Sequence, residues 1–204
     1  MKIIFGLGDS ITYGAWGQNT HGWCALLRAH LDSQEPYPQY YFYALGIPGE
    51  TSAGLRGRFK QELDVRKRSD DESFLYLVAC GANDATWLNG GQRFKQSLEE
   101  YSNNMRFIFN ELRTRPGKVY ALNVTPVNEA YSKEFKGKDY SCLNEYVDKY
   151  NQALALICDE LDIELVDINA VFKSQGVETN ITMDGVHPND EGHNLIFENV
   201  KNLV

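Results

Sequence analysis

Residues 2–10 read KIIFGLGDS, a short apolar run that ends in a glycine and two polar residues. Branched and aromatic side chains fill the run from Ile3 to Leu7, and its short length favours a buried strand over a helix. Ser10 follows this strand directly, and ligands of parallel α/β sheets bind beyond the carboxyl ends of the strands. Ser10 is therefore a candidate for chemistry, although a serine at such a position is by itself more often a turn or cap residue.

Four similar apolar runs occur further along the chain, and longer amphipathic stretches separate them. The five predicted strands are Ile3–Leu7, Tyr40–Leu45, Phe74–Ala79, Val119–Val124 and Ile163–Val166. Helices are predicted near residues 22–33, 52–68, 94–114, 142–161 and 189–202. This alternation predicts an α/β fold, in which helices cover both faces of a parallel five-stranded sheet. The length of 204 residues suits a single domain that spans residues 1–204.

Glycine and polar residues follow each of the first three predicted strands. The three junctions are Gly8-Asp9-Ser10, Gly46-Ile47-Pro48-Gly49 and Gly81-Ala82-Asn83-Asp84. Because the carboxyl ends of parallel strands meet at one edge of a sheet, we expect the three junctions to form one site. Two further connections, Trp87–Gln92 and Thr125–Ser141, are candidates for lids over this site, since long loops in compact domains are often functional.

A base for Ser10 is found near the other end of the chain. His187 lies in the stretch DGVHP (residues 184–188), where Asp184 stands three residues before it. A hydroxyl becomes an effective nucleophile when a positioned base takes its proton, and histidine side chains titrate near neutral pH. A carboxylate on the second ring nitrogen fixes the tautomer and stabilises the imidazolium that forms. Ser10, His187 and Asp184 are thus predicted to be nucleophile, base and orienting carboxylate.

Acyl transfer also requires hydrogen-bond donors for the negative charge that develops on the carbonyl oxygen. Gly46 offers a backbone N–H that no side chain blocks, Asn83 offers a side-chain amide, and Ser10 offers its own N–H. We predict that these three residues form the oxyanion hole. The residues predicted to contact substrate, which adjoin the same motifs, are Asp9, Trp87 and Val186.

The composition of the chain argues against nucleic-acid binding, a metal site and a membrane span. The chain carries a formal net charge of −8 without a cluster of basic residues, so a nucleic-acid partner is not expected. Its four cysteines are widely spaced and form no CxxC pair, and neither a metal site nor a cofactor is predicted. No apolar stretch is long enough to span a bilayer and no export signal opens the chain, which predicts a cytoplasmic protein. The expected partner is a small-molecule ester, and the oligomeric state stays open.

Taken together, four motifs of the chain resemble those of the SGNH or GDSL family of esterases and lipases. They are GDSIT (residues 8–12), GIPG (46–49), GAND (81–84) and DGVHP (184–188). The resemblance implies a flavodoxin-like three-layer α/β/α fold and hydrolysis of carboxylic esters through an acyl-enzyme, without metal or cofactor. It assigns the nucleophile, the base, its carboxylate and the oxyanion donors to the same five residues. Ile11 replaces the leucine of the family's name, and Ala44 stands near the oxyanion turn where many members carry asparagine.

Three functions are compatible with these residues, and we favour the first. It is an esterase for small or medium acyl groups, including acetyl groups on carbohydrates. The second is a lysophospholipase or thioesterase, which would need an apolar groove for a longer acyl chain. Candidate residues for such a groove are Trp87, Leu88, Phe94 and Tyr131. The third is a non-catalytic binding module on the same scaffold, against which the intact set of serine, glycine, asparagine and histidine argues.

Overall fold

A computed structural model describes residues 2–34, 40–69, 72–133, 138–181 and 184–204. The strands in these ranges are β1 (Lys2–Gly8), β2 (Tyr40–Gly46), β3 (Ser73–Ala79), β4 (Trp87–Leu88), β5 (Arg93–Phe94), β6 (Lys118–Leu122), β7 (Tyr140–Ser141) and β8 (Glu164–Val166). The helices are α1 (Ser10–Tyr13), α2 (Trp23–Asp32), α3 (Ser52–Asp64), α4 (Leu98–Arg113), α5 (Glu129–Ser132), α6 (Asn144–Glu160), α7 (Ile168–Gln175), α8 (Val177–Asn180) and α9 (Asp190–Val200). None of the helices in these ranges combines the length and the apolar character that crossing a lipid bilayer requires.

Five of the strands form a parallel sheet in the order β2-β1-β3-β6-β8. Counted along the chain, this is the order 2-1-3-4-5 of flavodoxin-like folds, in which ligands bind where the strand order reverses, between β1 and β3. The predicted α/β class with five parallel strands is confirmed. Gly8 at the end of β1 lies opposite Gly46 of β2 and Ala79 of β3. The first three strands therefore end at the same level of the sheet edge.

Helices cover both faces of this sheet and give the fold three layers. On β1, the side chains of Ile3, Phe5 and Leu7 join a buried cluster with α3, α4 and α6. Ile4 points to the opposite face, into a cluster with α2, α7 and α9. All four side chains are fully buried, which stabilises the fold by about 1.5–3 kcal/mol for each of them. Burial on both faces explains why the strands read as nearly continuous apolar runs.

The two connections predicted as lids contain regular structure and pair with each other. β4 lies between β5 and β7 in a small antiparallel sheet, with Trp87 opposite Phe94 and Ser141. The ring of Phe94 packs edge-to-face against the rings of Trp87 and Tyr146, with centroids 5.0 Å apart in both pairs. These aromatic contacts anchor the first connection to α6, so it does not form a loose lid. In the second connection, residues 134–137 lie outside the described residues.

Four short helices, α1, α5, α7 and α8, are absent from the sequence-based prediction, because each is too short to show a helical apolar period. Three of them begin at a side-chain cap. Asp9 caps α1, Asn128 caps α5 and Asp167 caps α7, in each case by accepting a backbone N–H. The cap at Asp9 has the greatest consequence, since α1 carries Ser10.

Candidate active site

Ser10 lies at the first position of α1, directly beyond the end of β1. The Asp9 carboxylate caps this helix by accepting the N–H of Ile11 at 3.0 Å. Gly14, in the left-handed conformation, ends the helix after one turn. This sharp strand-to-helix turn holds the hydroxyl of Ser10 at the wall of a cleft, with only 7% of the residue exposed.

The hydroxyl of Ser10 lies beside the imidazole of His187, although 177 positions separate them in the chain. Ser10 Oγ is 2.8 Å from His187 Nε2, and His187 Nδ1 is 2.6 Å from Asp184 Oδ2. In the tautomer that fits both contacts, Nδ1–H donates to the carboxylate and Nε2 accepts from the serine hydroxyl. The structure thus brings the three predicted residues into one hydrogen-bonded chain.

The turn around Asp184 fixes the orientation of this carboxylate. Its Oδ1 accepts the backbone N–H groups of Val186 and His187, each at 2.9 Å, while Oδ2 faces the imidazole. Partial burial opposes the ionisation of Asp184, but the hydrogen bonds from the His187 ring and from the two backbone N–H groups outweigh it. They hold the pKa of Asp184 well below its usual range. Asp184 is therefore a carboxylate at neutral pH and a permanent acceptor for the imidazole.

A glycine with a left-handed backbone shapes the same turn. Gly185 has φ of +79°, a conformation that costs other residues free energy. The N–H of Asn128 donates to Gly185 O at 2.8 Å, which attaches the turn to the start of α5. The histidine side of the site is thus supported by the connection between β6 and α6.

Two polar attachments join the loop after α1 to the final helix. The Asp190 carboxylate accepts the backbone N–H groups of Asn19 and Thr20, each at 3.1 Å. His193 is fully buried, and its Nε2 lies 3.0 Å from Ala15 O. Burial lowers the pKa of His193, so its neutral form is favoured in this structural role. These contacts hold the two ends of the chain together beside the cleft.

The three predicted oxyanion donors occupy the ends of the first three strands. Ser10 and Asn83 line the cleft directly. Gly46 packs against the turn that carries Ser10, so closely that a Cβ atom would lie 2.5 Å from Asp9 O and 2.2 Å from Tyr13 N. Only glycine permits this close approach of β2 to α1.

Asp84, the neighbour of Asn83, contacts the protein interior rather than the cleft. Its carboxylate accepts the hydroxyl of Ser52 at 2.5 Å and the backbone N–H of Ser52 at 3.0 Å. Burial raises the pKa of Asp84 to about 6, although the bonds from Ser52 act in the opposite direction. Asp84 thereby fixes the turn after β3, and with it Asn83, to the start of α3.

An arginine that the sequence pattern did not single out supports the same strand ends. Arg58 on α3 donates through Nη2 to Leu45 O at 2.7 Å and to Gly8 O at 3.2 Å. Its Nε lies 2.8 Å from Glu50 Oε1, which balances the charge of the partly buried guanidinium. Arg58 thus ties the carboxyl ends of β1 and β2 together just below Ser10.

Ser10, His187 and Asp184 open into a cleft of about 540 Å³, a volume typical of small-molecule sites. Trp16 forms part of its wall, and its ring meets the imidazole of His187 nearly edge-on with centroids 6.3 Å apart. Trp16 is 56% exposed, so much of its ring stays accessible to a ligand.

Of the three residues predicted to contact substrate, only Val186 lines this cleft. Asp9 is 2% exposed and faces a separate internal cavity of about 20 Å³, which Trp23 also lines. Burial raises the pKa of Asp9 to about 7. Trp87 packs against Phe94 in the small sheet. Asp9 thus caps α1 and Trp87 anchors β4, and neither lines the cleft, so contact of these two residues with a substrate stays a prediction.

Among the residues that the sequence reasoning missed, the larger side chains that line the cleft belong to Trp16, Lys95, Lys138 and Tyr140. Trp16 could have been suspected, because it follows Ser10 by only six positions. The other three lie within or beside the connections predicted as lids, which was the only signal for them. These three residues lie at the cleft because β4, β5 and β7 pair with one another. No local sequence pattern predicts this pairing.

Known proteins are similar to this chain over much of its length. The pattern of the GDSL-like Lipase/Acylhydrolase family matches residues 7–195 of this chain. The protein GDSL esterase/lipase WDL1 of Oryza sativa subsp. japonica is 30% identical over 145 residues, which cover 68% of this chain and 56% of the rice protein. The chain spans little more than half the length of the curated relatives it matches.

Solved structures share the fold over nearly all of the chain. The acetyl xylan esterase AlAXEase superposes with a TM-score of 0.78 at 19% identity and covers 100% of both chains. Axe2, an acetylxylan esterase from Geobacillus stearothermophilus, has a TM-score of 0.74 at 20% identity and covers 98% of this chain and 92% of its own. At such identities the likeness establishes the fold. The match of the family pattern, which extends from β1 into α9, shows that this chain belongs to the GDSL-like lipase/acylhydrolase family.

Proposed function

We propose that this chain hydrolyses carboxylic esters of small molecules through an acyl-enzyme formed on Ser10. The observation that carries the proposal is the 2.8 Å contact between Ser10 Oγ and His187 Nε2, with Asp184 bonded to the far side of the imidazole. This arrangement lets the imidazole take the hydroxyl proton as the oxygen attacks. Membership of a family of lipases and acylhydrolases supports the same reaction.

In the proposed acylation step, Ser10 Oγ attacks the ester carbonyl carbon while its proton passes to His187 Nε2. Negative charge collects on the carbonyl oxygen, and the proposed donors to it are the N–H groups of Ser10 and Gly46 and the side-chain amide of Asn83. The imidazolium then gives its proton to the departing alkoxide as the C–O bond breaks. The alcohol leaves, and the acyl group stays bound to Ser10.

In the proposed deacylation step, His187 takes a proton from water, and the resulting hydroxide attacks the acyl carbon. Ser10 Oγ then departs with the proton that the imidazolium returns, and the carboxylic acid is released. Asp184 stays ionised in both steps, which its strongly lowered pKa favours. Its charge stabilises the imidazolium whenever that ion forms.

For the substrate, we propose small acyl groups, with acetyl groups on carbohydrates as the leading case. The acetylxylan esterases that share the fold support this choice. The exposed ring of Trp16 beside the imidazole also suits the apolar face of a sugar. The alternative with a long acyl chain gains no support, because Trp87 and Phe94 pack against each other and do not line the cleft.

Turnover of p-nitrophenyl acetate by the wild type and by Ser10→Ala tests the reaction. We expect the variant to lose at least about 10³-fold in kcat, because Ser10 is the one hydroxyl that bonds to His187 among the described residues. Ser174→Ala is the matched control, since this exposed serine donates to Val171 O within its own helix and lies outside the cleft, and it should keep the wild-type rate. Equal rates for the wild type and Ser10→Ala would contradict the proposal.

A series of p-nitrophenyl esters from acetyl to dodecanoyl tests the proposed acyl length. The rate of hydrolysis should be highest for the short acyl groups, and a maximum at octanoyl or longer would contradict the small-acyl assignment.

A further inference from the structure

Two lysines reach the cleft from the segments that form the small sheet. Lys95 follows β5 and is half-buried, and Lys138 lies shortly before β7 and is exposed. Among the described residues that line the cleft, Asp184 is the one carboxylate, and its oxygens already accept hydrogen bonds from His187 and Val186. The described lining of the cleft therefore carries two lysines against one carboxylate, in a chain whose formal net charge is −8.

These two lysines differ from several others in the chain in their lack of an acidic partner. In the described part of the chain, neither forms a salt bridge with a carboxylate. Lys95 Nζ makes a long contact of 3.4 Å to Asn83 Oδ1 and lies 5.7 Å from the centre of the Tyr140 ring. Pairs elsewhere with short contacts are Lys60–Glu111 at 2.6 Å, Lys118–Glu164 at 3.0 Å, Lys173–Asp148 at 2.8 Å and Lys201–Glu198 at 2.6 Å.

We infer that the cleft takes esters that also carry an anionic group, a carboxylate or a phosphate, close to the ester bond. This inference rests on the proposed hydrolase function and names the substrate class of the same site. A chain with net negative charge repels anions at long range, so a cleft lined with positive charge is the feature that would attract one. Lysine ammonium groups bind both carboxylates and phosphates as point charges.

Lys95 lies close to Asn83, one of the proposed oxyanion donors. Its contact with Asn83 Oδ1 leaves the amide nitrogen of Asn83 as the donor that can face a substrate. An anionic group held by Lys95 would lie near the proposed oxyanion donor. A substrate with a sugar-like face and an anionic group could then contact both Trp16 and Lys95.

Three acetate esters that differ in one ring substituent test the inference. They are 4-acetoxybenzoate, 4-acetoxyphenyl phosphate and the uncharged 4-acetoxybenzamide. All three release acetate from a substituted phenol, and dividing each kcat/KM by the rate of uncatalysed alkaline hydrolysis of the same ester corrects for the different leaving groups. The ratio of the corrected values for a charged ester and for the amide then reports the effect of charge. We expect a preference of about tenfold for an anionic ester at low ionic strength. The preference should shrink near 1 M salt, where the screening length is about 3 Å. The larger of the two ratios identifies carboxylate or phosphate.

Lysine variants locate the source of the preference. Lys95→Met and Lys138→Met each remove one charge and keep the side-chain length, and each should lower the ratio by about twofold to fivefold. A change in the placement of Asn83 would slow all three esters alike and would leave the ratio unaltered. Lys149→Met is the matched control, because Lys149 lies at the same 5.7 Å from an aromatic ring, that of Tyr146, but outside the cleft. Its ratio should equal that of the wild type.

The outcomes separate this inference from the proposed function. Equal kcat/KM for the charged and uncharged esters, with turnover that depends on Ser10, would overturn the inference and leave the hydrolase intact. An equal loss of preference in Lys149→Met would also overturn it, since the effect would then come from overall charge. If none of the esters is hydrolysed in a Ser10-dependent manner, the proposed function fails and the substrate class fails with it.

Discussion

The two chain segments that meet in the cleft are held in place in different ways. Residues 8–14, on the serine side, lie at the end of the central strands, where backbone packing against Gly46 and a buried cap fix them. Residues 184–188, on the histidine side, form a short turn that depends on the Asp184 carboxylate and on one bond from Asn128. We therefore expect substitutions on the serine side to lower mainly the free energy of unfolding. Substitutions on the histidine side should lower mainly the catalytic rate.

The largest effect is expected on the histidine side, from Asp184→Asn. The amide would place an N–H group against His187 Nδ1 and favour the wrong imidazole tautomer, so kcat for p-nitrophenyl acetate should fall by about 10³–10⁴. The free energy of unfolding, measured by urea titration, should change by only about 1–2 kcal/mol. A variant that keeps a rate close to that of the wild type would show that the carboxylate does not orient the base.

On the serine side, we expect Gly46→Ala to lower the free energy of unfolding, and a loss of activity in this variant would follow from that destabilisation. The new Cβ atom would lie 2.2 Å from Tyr13 N, so β2 and α1 must move apart at a cost of about 1–3 kcal/mol. The midpoint of thermal unfolding should fall by several degrees, together with activity. Gly57→Ala is the matched control, because no described residue outside the neighbouring helix backbone lies within 4 Å of a Cβ atom there, and alanine favours the helix by up to about 1 kcal/mol. Equal stability of the two variants would contradict the close packing at Gly46.

A third effect, again on the serine side, concerns the buried cap and appears as a dependence of stability on pH. Burial raises the pKa of Asp9 from its ordinary 3.8 to about 7, so the folded chain holds this proton more tightly than the unfolded chain. Between about pH 4 and pH 7, the free energy of unfolding should therefore decrease as pH rises, by up to about 1.4 kcal/mol per pH unit from Asp9. Asp9→Asn should remove this contribution and leave that of Asp84, which acts in the same direction.

Urea titrations at several pH values measure this difference. The stability of the wild type relative to Asp9→Asn should decline across the window from about pH 4 to pH 7. Parallel curves for the two proteins would show that Asp9 does not titrate there. Because Asp9 is buried and lines no part of the cleft, the effect should appear in stability whether or not substrate is present.

The sequence predicted the parts of the site that local rules determine. The strand-end rule placed Ser10 and Asn83 at one edge of the sheet, and the chemistry of acyl transfer selected His187 and Asp184 as partners. The strands β1, β3 and β6 could be predicted because they are buried on both faces and read as short apolar runs, and the partly buried edge strands β2 and β8 read in the same way.

The sequence could not reveal where side chains point once distant segments pack together. Asp9 stands beside the nucleophile in the chain, yet its carboxylate turns inward because it caps α1. Trp87 stands near Asn83, yet it packs against Phe94. Lys95 and Lys138 reach the cleft only because the small sheet forms between two separate connections. Such positions depend on contacts between residues far apart in the chain, and the hydrophobic periodicity of a single segment does not predict them.

Reaction with a fluorophosphonate, followed by peptide mass spectrometry, tests most directly whether the imidazole activates the serine. Phosphonylation requires a nucleophilic hydroxyl, so the folded wild type should carry one adduct on the peptide that contains Ser10. Asp184→Asn should acquire it far more slowly, and Ser10→Ala should acquire none. A folded wild type that stays unmodified, or an adduct that persists in Ser10→Ala, would contradict an activated serine at this position.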